Sequence, residues 1–81
     1  MRIVWDEPKR ETNLRNRGLD FQALDLAFFS GAVIVPAKNG RYKAIGDFGQ
    51  LQLAVIFKPL GSEAVSVISM RQASRKERRL L

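Results

Sequence analysis

Arg71, Arg75, Lys76, Arg78 and Arg79 crowd the last eleven residues, with Glu77 as their single acid, so that residues 71–81 carry +4. A second basic block, residues 9–17, carries +3 through Lys9, Arg10, Arg15 and Arg17 against Glu11, whereas residues 18–70 are neutral. The net charge of +6 and pI of about 10.6 are therefore built near the two chain ends. Two cationic blocks suit a polyanion or an acidic protein; a solvated helix face explains a basic block equally well.

The chain has neither His nor Cys, so imidazole acid–base catalysis and thiolate chemistry are excluded. No Ser–His–Asp set, phosphate-cradling glycine loop or metal-ligand cluster is present, and no cofactor is expected. Asp6 and Glu7 are adjacent but read as a helix cap rather than an acid–base pair. Tyr42 is the one phenol, and its strand position favours packing. Trp5 and most other aromatic residues fall at core spacing, which leaves little for base stacking.

One reaction needs little of the missing equipment. RNA carries its own nucleophile, the 2′-OH, and its cleavage requires alignment, a proton for the leaving group and stabilisation of the phosphorane charge. Arginine suits the last task because its planar fork donates two parallel hydrogen bonds to phosphate. Arg71 is the foremost candidate. It ends an alternating strand just before a helix cap, where it either binds phosphate or pairs with Glu77 or Asp6.

The elements that must position these groups are legible in outline. "RIVW" at 2–5 reads as a short strand. A helix follows from a cap at Asp6 or Glu7, with Pro8 in its first turn, to Arg17 and the stop at Gly18. It is mostly polar, with Leu14 as its clear apolar anchor. Asp20 caps a second helix reaching Gly31, with Leu19 and Leu24 as a hydrophobic staple and Phe21, Leu24, Ala27 and Phe28 as its core face. The period then changes to strands. "AVIV" before Pro36 suits a sheet edge, Asn39–Gly40 signals a hairpin, and "RYKAIGDF", "LQLAVIF" and "EAVSVISM" complete a four-stranded antiparallel meander. Ser74 and Glu77 form a capping box on a C-terminal helix whose Arg75, Arg78 and Arg79 share a face. The fold class is α+β, in one domain over residues 1–81. At 46% hydrophobic and 27% charged the composition is globular. No apolar run is long enough to span a membrane and no secretory signal region opens the chain, so a cytoplasmic location is expected.

The stretch "WDEPKRETNLRNRGLDFQAL" resembles the W-D-x-x-K-x-x-x-N-x-x-K-H-G-x-x-F opening of the BrnT toxins. "AIGDFGQLQLAVIF" is similar to their central hairpin, and "VISMRQASRKERR" to their I-S-x-R-x-A-[ST]-x-x-E-R closing motif. Trp5, Asp6, Lys9, Asn13, Gly18 and Phe21 match the first motif; Arg71, Ala73, Ser74, Glu77 and Arg78 match the last. The resemblance implies a compact RelE-like fold, RNA cleavage that inhibits translation, and neutralisation by a BrnA-like antitoxin. On this reading Arg71 and Lys9 are the catalytic phosphate binders. Arg17, Arg41 and Lys58 contribute to substrate binding, and Arg75, Arg78 and Arg79 to partner binding. The chain departs from the pattern at Arg17, where His is usual, at Ala64 and Ser66, where basic residues are common, and at Leu80, near which many members carry Tyr. These departures favour the alternative of a catalytically degenerate member that only binds its antitoxin. A non-catalytic nucleic-acid-binding module is the second alternative.

Overall fold

The computed structural model describes residues 1–81, arranged around one five-stranded mixed sheet. The elements are β1 (Arg2–Trp5), α1 (Glu7–Arg17), a 3-10 turn (Phe21–Ala23), α2 (Leu26–Gly31), β2 (Val33–Pro36), β3 (Tyr42–Phe48), β4 (Leu51–Leu60), β5 (Ala64–Gln72) and α3 (Arg75–Arg78). The expected meander is present as β2 to β5, all antiparallel, and β1 adds a parallel fifth strand beside β5. The Asn39–Gly40 hairpin forms as read: both residues have positive φ, 62° and 71°, the geometry whose twist matches that of the strands it joins. No helix is long and apolar enough to cross a membrane.

Strand alternation divides the sheet into two unlike faces. Phe21, Leu24 and Phe28 pack against Ala44, Leu53, Val55, Phe57, Val65, Val67 and Met70 to make the main core. Trp5 packs on its border, the anchor role expected of it. Gly46 lets the α2 segment approach this face, because a Cβ there would lie 3.2 Å from that of Ala32 and 3.3 Å from the Phe28 ring. On the opposite face a small apolar cluster is buried, Ile45, Ala54 and Ala73, with Val35 alongside.

Two helix expectations are corrected. The segment from Asp20 to Gly31 is not one helix. Asp20 accepts from Gln22 N at 2.9 Å and starts the 3-10 turn; Asp25 then accepts from Phe28 N at 2.9 Å and starts α2 afresh. A second aspartate competes for the backbone donors that a continuous helix would use. Leu24 is left extended between the two pieces and Ala27 is turned to solvent. In α1, Leu14 is 40% exposed, whereas Asn13 is buried to 7%. That helix lies against β5 beyond the end of β1, so its inward position faces backbone polar groups rather than a greasy surface. Asn13 Oδ1 accepts from Met70 N at 3.1 Å and its Nδ2 donates to Leu19 O at 3.0 Å.

Asp6 occupies the α1 N-cap position but its side chain accepts no capping bond. Glu7 turns instead to Trp5 Nε1 at 2.7 Å and Arg10 Nη1 at 2.9 Å, and Arg10 reaches on to Asp20. The Trp5 indole foremost, with Arg10, holds the Glu7 carboxyl below its ordinary range.

Candidate functional site

The sheet face turned away from the main core gathers cations from separate parts of the chain. Met70 is buried in that core, so its neighbours Ser69 and Arg71 project from the other face. By the same alternation Lys43 projects there beside buried Ile45, and Lys58 beside buried Phe57. Ala54, paired with Arg71 on one side and Ile45 on the other, is the small floor between them.

α3 is anchored over this floor by the predicted capping box. Ser74 Oγ accepts from Glu77 N at 3.1 Å, and Glu77 Oε1 accepts from Ser74 N at 2.8 Å. The same carboxylate receives Arg71 through two bonds, Nη1 at 2.7 Å and Nη2 at 2.9 Å, and Lys43 Nζ at 2.6 Å. Glu77 is only 8% exposed. Hydrogen bonds from Arg71 foremost, then from Lys43 and the Ser74 backbone, outweigh the opposing effect of burial and hold its carboxyl far below the usual range.

That depression has a measurable consequence. A carboxylate with a lowered folded-state pKa takes up its proton first in the unfolded chain. Its stabilisation is therefore complete above the unfolded value of about 4.3 and is lost as pH falls through and below it. Glu7 and Asp20, lowered chiefly by Trp5 and Arg10 respectively, act in the same direction. Thermal denaturation should show the melting temperature falling from about pH 5 to pH 3, and Glu77→Gln should make that fall shallower. A parallel pH dependence in the variant would contradict the assignment.

A polar cleft of about 410 Å³ opens between α1 and β5. Pro8, Lys9, Thr12, Asn13, Asn16 and Arg17 line it from the helix, and Ile68 and Ser69 from the strand. Its strand wall is irregular: Ile56 pairs with Ser69 but Phe57 with Val67, which leaves Ile68 as an extra residue. Such a bulge bends the strand and re-aims its side chains. No carboxylate lines the cleft, and no acidic cluster on the molecule is suited to a metal ion.

The candidate residues therefore fall into groups. Lys9 and Arg17 share the cleft; Arg71 is outside its lining, two residues from Ser69 on the same strand face. Lys58 is on that face but pairs with Ser66, roughly 13 Å along β4 from the Ala54–Arg71 row by strand rise. Arg41 lies at the outer β2–β3 turn, where its backbone closes the hairpin with Lys38 and Ala37, away from the cleft. On α3, Arg78 Nη1 donates to Ala73 O at 3.1 Å, whereas the exposed Arg75 and Arg79 pair with no carboxylate. Tyr42 stacks on Phe57 with centroids 6.0 Å apart, in the packing role expected of it. Sequence reasoning missed Lys43 as a candidate. Its alternation with Ile45 was visible, but only strand pairing places it across β4 from Arg71.

Residues 5–77 match the family described as the ribonuclease toxin, BrnT, of type II toxin–antitoxin systems. The 1.1 Å crystal structure of the Brucella abortus ribonuclease toxin BrnT is similar with a TM-score of 0.87 and 58% sequence identity, over 93% of this chain and 99% of that one. A search of curated proteins finds no match.

Proposed function

Because the chain belongs to the BrnT family, the ribonuclease toxins of type II toxin–antitoxin systems, we propose that it cleaves single-stranded RNA on the cationic face described above. As a type II toxin it has an antitoxin partner, and a BrnA-like protein is the partner proposed. The proposed setting is the cytoplasm, with residues 1–81 acting as a single toxin domain that inhibits translation.

In this reading the RNA backbone enters along the α1–β5 cleft. Lys9 and Arg17 bind flanking phosphates, and Arg71 receives the scissile one. The 2′-oxygen attacks the adjacent phosphorus while the P–O5′ bond breaks, leaving a 2′,3′-cyclic phosphate and a 5′-hydroxyl; water takes the 2′-OH proton and supplies one to the departing 5′-oxygen. Arg71 neutralises charge as it grows on the phosphorane, a role in which fixed donors are worth most. In-line placement of the sugar between helix and strand supplies the orientation. Lys58 extends the phosphate track, and Arg41 stands at its outer margin. Arg75, Arg78 and Arg79 present the basic surface proposed for the antitoxin, set apart from the reacting phosphate by α3 itself.

The observation that supports the reading is that Lys9 and Arg17 line a cleft with no carboxylate in its lining, and that Arg71 lies two residues beyond its Ser69 wall on β5. Induced expression of the chain in bacteria should arrest growth, and the purified protein should cut single-stranded RNA to products ending in 2′,3′-cyclic phosphate. Normal growth at verified soluble expression, with intact RNA in vitro, would overturn the nuclease reading and favour the degenerate member suggested by Arg17, Ala64, Ser66 and Leu80.

A further inference from the structure

We infer that Glu77 is a positioning residue of the RNA site, which aims the guanidinium of Arg71 and the ammonium of Lys43 at one phosphate. The inference rests on the ribonuclease reading above. Lys43 is thereby added to the site as a second cation.

The geometry at Arg71 carries the argument. Glu77 grips the end of the guanidinium, one oxygen on each Nη. The outward hydrogen of Nη1 is directed to Gln72 O at 3.3 Å. What remains is the side of the fork: Nε–H and the second Nη2–H, parallel donors that receive no protein acceptor in the structure. Two parallel N–H groups match two oxygens of a phosphate. Arg71 is thus held without being used up, and with 31% of its side chain exposed the open edge is reachable.

Lys43 makes the second half of the case. It comes from β3, while Arg71 comes from β5, and β4 separates them. Lys43 pairs with Ile56 and Arg71 with Ala54, a diagonal across the small Ala54 side chain. One carboxylate bridges both cations, so the cluster retains a net positive charge. Its carboxylate is in turn fixed by the Ser74 backbone. Arg71 and Lys43 are both held by a carboxylate that would not itself touch phosphate, the arrangement that precise electrostatic catalysis requires.

Glu77→Gln keeps the side-chain shape and an acceptor for Ser74 N, but its amide cannot receive both Nη groups. The expected result is a fall in kcat of at least about tenfold with KM for a short single-stranded RNA unchanged or lower, since one negative charge leaves the face. A rise in kcat would mean that Glu77 restrains the site, and an unchanged kcat that it is a structural tie; either overturns the inference. A second measurement does not depend on cleavage. In the parent protein, NMR should resolve separate Arg71 Hη signals, because the two bonds to Glu77 block rotation of the guanidinium. A 2′-O-methyl RNA oligonucleotide should shift the Arg71 Hε and Lys43 signals. In Glu77→Gln the Hη signals should merge and the Hε shift should shrink. Resolved signals in the variant, or an Arg71 Hε that ignores the oligonucleotide in the parent, also overturn it. A parent protein that cleaves no RNA defeats the nuclease reading alone, because the oligonucleotide titration still decides the positioning.

Discussion

Arg71→Ala should lower RNA cleavage by about two to three orders of magnitude, the usual cost of deleting one fixed donor from a site of developing negative charge. The substitution also strands Glu77, whose carboxylate would keep Lys43 and the Ser74 backbone but lose both guanidinium bonds. Some stability should therefore go with the activity, about 1–3 kcal/mol for a partly buried, charge-assisted pair. Arg71→Lys separates the two effects. It retains a cation for Glu77 but lacks the planar fork, so folding should largely recover while cleavage stays well below the parent. Antitoxin affinity should survive in both variants, because α3 carries the surface proposed for it. Replacing Arg75, Arg78 and Arg79 together should give the complementary phenotype: weaker, more salt-sensitive partner association with cleavage retained. RNA cleavage and partner affinity at two salt concentrations test the division. Parental cleavage by Arg71→Ala would make that arginine structural.

Asn13→Ala should be the most damaging single change outside the apolar core. One amide joins three elements: it belongs to α1, donates to Leu19 O after that helix, and accepts from Met70 N in β5. Truncation leaves a buried donor and an acceptor without partners, at about 1–3 kcal/mol each. The sum is a large share of the stability of a small domain, and a melting-temperature loss on the order of 10 °C or more is expected. Asn13→Asp keeps the acceptor for Met70 N but faces Leu19 O with a carboxylate, so it should not rescue. Thermal denaturation measures the loss, and hydrogen exchange at the Met70 amide locates it. A change of only a degree or two would show that water replaces the amide cheaply. The lesion also reaches function, because Lys9, Thr12, Asn16 and Arg17 keep their places in the cleft only while α1 stays docked.

The linear chain by itself determined the parts governed by neighbours in sequence. Asn39–Gly40 demanded a tight hairpin because both residues tolerate positive φ. Ser74 and Glu77 made a capping box because three residues of helix bring each side chain to the other's backbone. Alternation in "EAVSVISM" and "RYKAIGDF" set the strands, and Gly18 ended α1 in a left-handed residue. The two basic blocks and the matched motifs already pointed to an RNA-directed toxin. Where local signals competed, the reading failed: Asp20 and Asp25 each offered a cap, and the chain used both.

Only the tertiary structure decided what depends on partners distant in sequence. Leu14 reads as the anchor of α1 by hydrophobicity, yet Asn13 is buried there, because β1 ends at Trp5 and a backbone donor of β5 needs an acceptor. The parallel pairing of β1 with β5 has no signal in either strand alone. Lys43 becomes part of the site through the register of three strands, and Glu77, legible as a cap, becomes the bridge between two cations. Capping and turn formation are satisfied within a few residues. A buried donor, or a carboxylate shared by two cations, acquires its partners only when the sheet closes, and those closures set the geometry of the site.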